Sequence, residues 1–126
     1  ECINGIGILI RGYTDKAMDV VNIKISKFGG ITKAALARDL CTQLGIAMTI
    51  EDSWGGDITT SAIAHLAHST PEEFRFSSTD FNSYVSISNA FGGPTGQDGM
   101  MKASDDPGLG VTLNKEATGE PIHVYR

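Results

Sequence analysis

The chain has 126 residues, of which 40% are hydrophobic and 20% charged, a composition typical of a soluble globular protein. Its net charge of −5 disfavours nucleic-acid binding through a basic surface. No apolar run approaches the roughly 20 residues of a membrane span, and no stretch resembles a signal peptide. The isolated Cys2 and Cys41 indicate reduced thiols. The sequence therefore predicts a cytoplasmic protein with neither a membrane nor a nucleic-acid partner.

The N-terminal residues 3–18 have apolar spacing that predicts a short helix. Gly5, Gly7 and Gly12 each weaken that helix by up to about 1 kcal/mol relative to alanine. The first two glycines resemble a dinucleotide-binding loop, but Ile10 stands at the third glycine position and no strand precedes the motif. We therefore reject a dinucleotide site here.

The next segment alternates strictly from Val21 to Ser26 and predicts a strand with one apolar and one polar face. A Gly29-Gly30 turn and a helical pattern follow at once, which is typical of an α/β fold. A lysine at position 24, on the polar face of such a strand, belongs at the mouth of a closed parallel barrel. A solvated lysine on a surface strand would give the same alternation.

A first helix is predicted from a Thr32 cap to about Leu44, with Gly45 as its stop. Ile46 to Asp52 then predict a second strand that ends in acidic residues. The residues expected on neighbouring turns of the first helix are Ala35, Leu36, Asp39, Leu40 and Gln43.

A second helix is predicted over Ile58–His68, capped by Asp57 or Thr59. Residues 70–73 read Thr-Pro-Glu-Glu, a capping-box start for one short turn, and residues 74–78 predict a third strand. The regular β-α-β-α-β spacing favours right-handed parallel crossovers. Beyond residue 82, glycine and proline turn signals predict an irregular, partly β tail, including short segments around 100–103, 110–113 and 122–125.

Four segments together resemble the enolase superfamily, in particular its muconate-lactonising and mandelate-racemase type. They are N-I-K-I-S-K-F-G-G-I-T (22–32), L-G-I-A-M-T-I-E-D-S-W-G-G-D-I (44–58), A-H-L-A-H-S-T-P (64–71) and D-P-G-L-G-V (106–111). The similarity runs from Glu1 to about Val111. The second segment, with residues 77–82, is closest to members that act on proline derivatives, the hydroxyproline-betaine epimerases and cis-3-hydroxyproline dehydratases.

The resemblance implies the C-terminal part of a modified (β/α)7β TIM-type barrel, with a tail that returns to a capping domain. Residues 1–82 would supply about the sixth to eighth strands, and residues 83–126 the tail. Such enzymes bind Mg²⁺ through three acidic ligands on earlier strands. If Glu1 belongs to their Asp-Glu pair, every metal ligand lies upstream of it, as does the second lysine. The chain would then be a fragment with half an active site, and the full-length protein a homo-oligomer.

The implied reaction is abstraction of the proton α to a carboxylate, with Mg²⁺ as the Lewis acid that stabilises the resulting charge. Lys24 matches the catalytic lysine on one face of the substrate. A lysine acts as a base near neutral pH only where its surroundings favour the neutral amine. Lys27 has the opposite parity, and we expect it to be structural, for example in a salt bridge.

Glu51, Asp52 and Trp54 are predicted to lie at the same mouth and to bind the substrate. An acid there can bind an ammonium group, and Trp54 offers a π face to a cationic nitrogen. Strand parity points Glu51 inward and Asp52 to the turn, but the sequence does not choose between them. Asp52 capping the next helix and Trp54 as a packing residue are the alternatives. Thr79 is a candidate contact for a ring hydroxyl, or equally a turn residue.

The two histidines of the second predicted helix, His65 and His68, could suggest metal ligands. No carboxylate or cysteine sits at a spacing that completes a metal site with them. We therefore expect surface or packing histidines.

Two rival functions remain open. A dipeptide epimerase or another lysine-lysine member is the rival enzyme, although the Asp-x-Asp expected on the last strand is absent at residues 77–79. A non-catalytic domain on the same scaffold is the rival outside enzymes. Epimerisation and dehydration of an amino-acid or betaine substrate also remain open.

Overall fold

The computed structural model describes residues 2–125 and contains a three-stranded parallel sheet whose strands lie side by side in chain order. One long helix connects the first strand to the second, and another connects the second to the third, as the sequence predicted. The elements up to the third strand are α1 (Ile6–Thr14), β1 (Val20–Lys24), α2 (Ile25–Phe28), α3 (Ile31–Leu44), β2 (Ala47–Glu51), α4 (Asp57–His68) and β3 (Arg75–Ser78).

The hydrophobic core lies on one side of this sheet, against the helices. Ile23 of β1 pairs with Ile50 of β2, and Val21 pairs with Met48, so the buried side chains of the two strands share one face. Ile63 of α4 completes the packing and is fully buried. The opposite face carries the polar side chains of the alternating strands, as the period-two pattern predicted.

Strand β1 ends at Lys24, two residues before the predicted end at Ser26. The chain enters the single helical turn α2, in which Ile25 is still buried. Because Ile25 is buried, the apolar alternation continues past the end of the strand at Lys24, and the sequence pattern therefore predicted a strand that is too long. Gly29, with a φ of 85°, then closes the turn in a conformation that favours glycine.

Helix α3 differs from the prediction in its start, and small side chains form its buried face. It begins at Ile31, after Gly30 with a φ of 115°, so Thr32 is not its cap. Its fully buried side chains are the small ones that let a helix approach a sheet closely, whereas Leu36 is 59% exposed. Gly45, with a φ of 71°, ends the helix as predicted. The buried residues are Ala34, Ala37 and Cys41.

Helix α4 begins at Asp57. Gly56 occupies the N-cap position, so neither predicted cap residue caps the helix, and no side chain makes a capping hydrogen bond there. The capping box at residues 70–73 does not form either. The Thr70 hydroxyl donates to the Leu66 carbonyl at 2.7 Å, and no side chain caps the next turn. The predicted short turn is present as a 3₁₀ turn over Glu72–Phe74.

The segment after β3 is irregular with little β structure, as predicted. A 3₁₀ turn over Asn82–Tyr84 leads to β4 (Ala90–Phe91), which pairs antiparallel with β5 (Thr112–Leu113). A final turn, α5 (Lys115–Thr118), is capped by the Asn114 side chain. Among the residues described, no helix is both long and apolar enough to cross a membrane.

Candidate functional site

Lys24 and Glu51 lie together on the polar face of the sheet, at the carboxyl ends of the strands. They are the last residues of β1 and β2 and are directly paired in the parallel register. Lys24 Nζ lies 3.6 Å from Glu51 Oε1. Lys24 is only 8% exposed, so it is buried and does not match the alternative of a solvated lysine.

Asn22, two residues before Lys24 on the same face of β1, binds the same glutamate. Its Nδ2 donates to Glu51 Oε1 at 2.7 Å, so the amide and the lysine approach the same carboxylate oxygen. In the layer of Asn22, Thr49 Oγ1 and Ser77 Oγ are 2.9 Å apart. Because parallel strands end at a common edge, a polar surface leads up to the Lys24–Glu51 pair.

Asp52 lies beside this pair, but its carboxylate takes part in other contacts. Ser26 donates its backbone N–H to both oxygens at 3.2 Å, and its hydroxyl also donates to Oδ1. The backbone N–H of Ser53 donates to Oδ1 at 2.7 Å. Asp52 is 8% exposed. Of the two acids that the sequence left undecided, Glu51 therefore shares the polar face with Lys24, and Asp52 binds the turn that follows β1.

Trp54 belongs to an aromatic cluster at the same end of the sheet. Its ring centroid lies 5.8 Å from that of Phe81 and 6.0 Å from that of Tyr84, and the last two are 6.4 Å apart. Phe81 is 7% exposed, whereas Trp54 is 64% exposed and offers a face to solvent. The sequence reasoning missed Phe81 and Tyr84, although two aromatic residues just after a predicted strand end were visible.

Thr60 on α4 anchors the segment that carries these rings. Its Oγ1 accepts the backbone N–H groups of Phe81 at 3.1 Å and Asn82 at 3.0 Å. The same hydroxyl donates to the Gly56 carbonyl at 2.9 Å. Thr60 is fully buried, so three hydrogen bonds satisfy a hydroxyl that has no access to water. The aromatic cluster is thereby tied to the first turn of α4.

Thr79 and the two histidines are the other residues that the sequence singled out. Thr79 is half-buried, and its backbone N–H donates to the Ile50 carbonyl at 3.3 Å, which keeps the chain beside β2 just past the end of β3. His65 is half-buried and His68 is exposed. Glu1, which the resemblance places next to a metal ligand, lies outside the described residues.

Within residues 2–125, no group of three or more histidine, cysteine, aspartate or glutamate side chains is arranged to hold a metal ion. The two acids at the end of β2, Glu51 and Asp52, have their carboxylates in contact with Asn22 and with Ser26, respectively. The described part of the chain therefore does not fit a Mg²⁺ site by itself.

The chain resembles proteins of known class over nearly its whole length. Residues 1–117 match the family model described as enolase C-terminal domain-like. A cis-3-hydroxy-L-proline dehydratase from Roseibium aggregatum is 58% identical over 125 residues, which are 99% of this chain and 34% of that protein. The chain thus spans about a third of the length of this relative.

The chain is also similar to solved structures of mandelate racemase/muconate lactonizing enzymes. A mandelate racemase/muconate lactonizing enzyme from Roseovarius nubinhibens ISM matches with a TM-score of 0.94 at 42% identity, over 98% of this chain and 33% of that one. A second such structure from that organism, complexed with magnesium, matches with a TM-score of 0.91 at 34% identity, over 96% and 33%. Both relatives, like the dehydratase, are about three times as long as the segment they share with this chain.

Proposed function

Because the chain belongs to the enolase C-terminal domain-like family, we propose that it supplies part of an active site that removes the proton α to a carboxylate. The substrate we propose is a proline or hydroxyproline derivative, and the outcome is epimerisation or dehydration. The observation that carries this proposal is the buried Lys24 Nζ, 3.6 Å from Glu51 Oε1, at the carboxyl ends of two parallel strands. Active-site residues of parallel α/β folds are drawn from this edge.

Lys24 is the group we assign to the proton transfer. Its neutral Nζ would accept the α-proton, and the electron pair of the C–H bond would pass to the substrate carboxylate. In dehydration, this electron pair returns to form the Cα=Cβ bond, the β-hydroxyl leaves with its bonding electrons, and a general acid protonates it to water. In epimerisation, a second acid returns a proton to the opposite face, and that acid would lie outside this chain. Burial of Lys24 keeps water from competing for the amine.

Glu51, Asp52, Trp54 and Thr79 are the residues that the sequence proposed for substrate binding. Glu51 has the most direct support, because its carboxylate lies on the face of Lys24 and can bind a substrate ammonium. The exposed face of Trp54 can attract a cationic nitrogen by about 0.5 to 2 kcal/mol. Thr79, at the end of β3, would be placed to contact a ring hydroxyl. A cis-3-hydroxy-L-proline dehydratase among the relatives supports the proline class of substrate.

We further propose Mg²⁺ as the cofactor, with all its ligands contributed from outside the described residues. One similar structure is complexed with magnesium, which supports this choice. When bound, the ion would act as a Lewis acid toward the substrate carboxylate.

The proposed architecture is a (β/α)7β barrel in which β1, β2 and β3 are about the sixth to eighth strands. Residues 83–126 would return to a capping domain, and the complete protein would be a cytoplasmic homo-oligomer. The sheet order supports the barrel proposal. Within the described residues, β1 and β3 are the outer strands, and the outer side of each carries backbone N–H and C=O groups that could pair with further strands.

The test follows the α-hydrogen of candidate substrates by proton NMR, with the full-length protein and Mg²⁺ in D₂O. Proline, cis-3-hydroxyproline, 4-hydroxyproline and their betaines are the compounds to compare. We expect exchange or loss of the α-hydrogen in the wild type and in the control Lys33→Ala, an exposed lysine on α3. The signal should persist unchanged over the same time in Lys24→Ala.

The two other outcomes separate the parts of the proposal. Exchange that is undiminished in Lys24→Ala removes this lysine from the mechanism. No exchange with any of these compounds excludes the proline class and favours a dipeptide epimerase, another lysine-lysine enzyme or a non-catalytic domain. The product identified in the same spectra decides between epimerisation and dehydration.

A further inference from the structure

The short turn α2 begins directly after Lys24, and its hydrogen bonding comes from the neighbouring strand. Lys24 itself is the residue before the first helical position, with φ −92° and ψ 113°. The first N–H groups of a helix have no partner inside the helix. Here the Ser26 N–H is satisfied by the Asp52 carboxylate, 26 positions further along the chain.

The Asp52 carboxylate accepts hydrogen bonds from three donors in this role. It accepts from the backbone N–H of Ser26, from the Ser26 hydroxyl and from the backbone N–H of Ser53. A buried carboxylate is stable only when such donors replace its lost hydration. Since Asp52 is 8% exposed, its oxygens face the backbone of the turn and not the open edge of the sheet.

We propose that Asp52 is a positioning residue for Lys24, acting through Ser26, and that it does not contact the substrate. This inference rests on the proposed catalytic role of Lys24. Two links then join the ends of β1 and β2, the Lys24–Glu51 pair and, just beyond it, the Ser26–Asp52 contact. The pairing of β1 with β2 fixes the main chain before the lysine α-carbon, and the Ser26–Asp52 contact fixes it just after. A misplacement of about 1 Å in a reacting group can cost about 10²-fold in rate.

The test uses Asp52→Ala, Ser26→Ala and the double variant in the full-length protein, with the rate of α-hydrogen exchange as the readout. A positioning role predicts that kcat falls by about tenfold or more in Asp52→Ala while KM stays within about twofold. Ser26→Ala keeps its backbone N–H and should lose less. The double variant should be no slower than Asp52→Ala, because the two changes break one link.

Direct binding of the substrate by Asp52 predicts a different pattern and would overturn the inference. KM for substrates with an ammonium group would then rise by about tenfold or more in Asp52→Ala, and the effect of Ser26→Ala would be independent of it. Ser69→Ala is the matched control. It also removes one hydroxyl donor, to the Leu66 carbonyl at 3.0 Å, but at the end of α4 before β3 begins.

Two further comparisons keep the result interpretable. Asp52→Asn retains one acceptor oxygen and is expected to recover part of kcat, so it also serves should Asp52→Ala fail to fold. A wild-type kcat in both Asp52 variants overturns the inference even if Lys24→Ala is inactive. Full exchange in Lys24→Ala overturns the proposed function itself, so the failures of the two proposals are distinguishable.

Discussion

Lys24 and Glu51 form an ion pair of 3.6 Å between directly opposed residues of β1 and β2, with side chains only 10% and 15% exposed. Their burial means that each charge depends on the other for stabilisation, because little water is available to replace the partner. Asn22 adds a hydrogen bond of 2.7 Å to the glutamate. The pair is therefore a point where stability and the proposed catalysis would depend on the same two groups.

A double-mutant cycle on this pair should show strong coupling in stability. We expect Lys24→Met and Glu51→Gln each to lower the free energy of unfolding by about 1 to 3 kcal/mol, since each removes the opposite charge of this buried ion pair. The double variant should be more stable than the sum of the singles predicts, because neither charge of the pair remains. Urea unfolding of the full-length protein measures all three. Additive losses would show that the two charges do not stabilise each other.

The aromatic cluster provides a second prediction, because its anchor is a single buried hydroxyl. Thr60→Val keeps the shape of the side chain but removes the acceptor used by the N–H groups of Phe81 and Asn82. We expect a loss of about 1 to 3 kcal/mol in stability. Trp54, the one tryptophan in the sequence, should lose contact with Phe81 and shift its fluorescence to longer wavelength.

The control for this experiment is Thr42→Val, whose hydroxyl donates only locally, to the Arg38 carbonyl on α3. A Trp54→Phe variant identifies the emission of this residue in the full-length protein. Emission that is unchanged in Thr60→Val would show that the rings hold their arrangement without the anchor.

Local periodicity was enough to place Lys24 correctly, because alternation along a strand depends only on neighbouring residues. The same reasoning missed the strand end, since Ile25 stays buried in the turn. It also did not single out Ala34 and Ala37, which α3 buries in the core. Small residues carry a weak hydrophobic signal, although they are the ones that allow close helix–sheet contact.

The division of roles between Glu51 and Asp52 could not be read from the sequence. It depends on Ser26 and Asn22, which are distant in sequence and become neighbours only when β1 pairs with β2. The Phe81 contact with Trp54 likewise joins residues distant in sequence, and Thr60 binds the backbone N–H of Phe81. Tertiary contacts, and not local propensity, decide which polar group faces the site and which one supports the backbone.

A third prediction concerns the attachment of the segment after β3. Asp57 is buried, and its carboxylate accepts from Asn82 Nδ2 at 3.1 Å and from the Asn89 backbone N–H at 3.0 Å. Asp57→Ala should loosen this segment, so trypsin should cleave faster after the exposed Lys102. Asp15→Ala, at an exposed position after α1, is the control. An unchanged cleavage rate after Lys102 would show that other contacts hold the segment.

The two cysteines should differ sharply in reactivity. Burial raises the pKa of the Cys41 thiol from its ordinary value of 9.0 to about 11, whereas Cys2 is exposed. Because the thiolate is the reactive form, iodoacetamide at pH 8 should modify Cys2 and leave Cys41 intact until the protein unfolds. Peptide mass spectrometry after timed alkylation measures both sites. Equal labelling of the two in the folded protein would contradict the burial of Cys41.

The raised pKa of Cys41 also predicts a loss of stability in alkali. Above about pH 9 the unfolded chain releases the thiol proton while the folded protein keeps it, so the unfolded state binds fewer protons and stability falls as pH rises toward about 11. Below pH 9 the thiol is protonated in both states and contributes no pH dependence. Cys41→Ala should show a weaker decline of the free energy of unfolding between pH 9 and 11.

The last prediction concerns the 126-residue chain expressed alone. In the order β1-β2-β3 both outer strands have unpaired edges, and Phe76 on β3 is 69% exposed. Such edges and apolar surface favour association. We therefore expect this chain to bind a dye specific for apolar surface and to elute larger than a monomer in size-exclusion chromatography. A monodisperse monomer that melts cooperatively and binds no dye would contradict the proposal that β1 to β3 are part of a larger barrel.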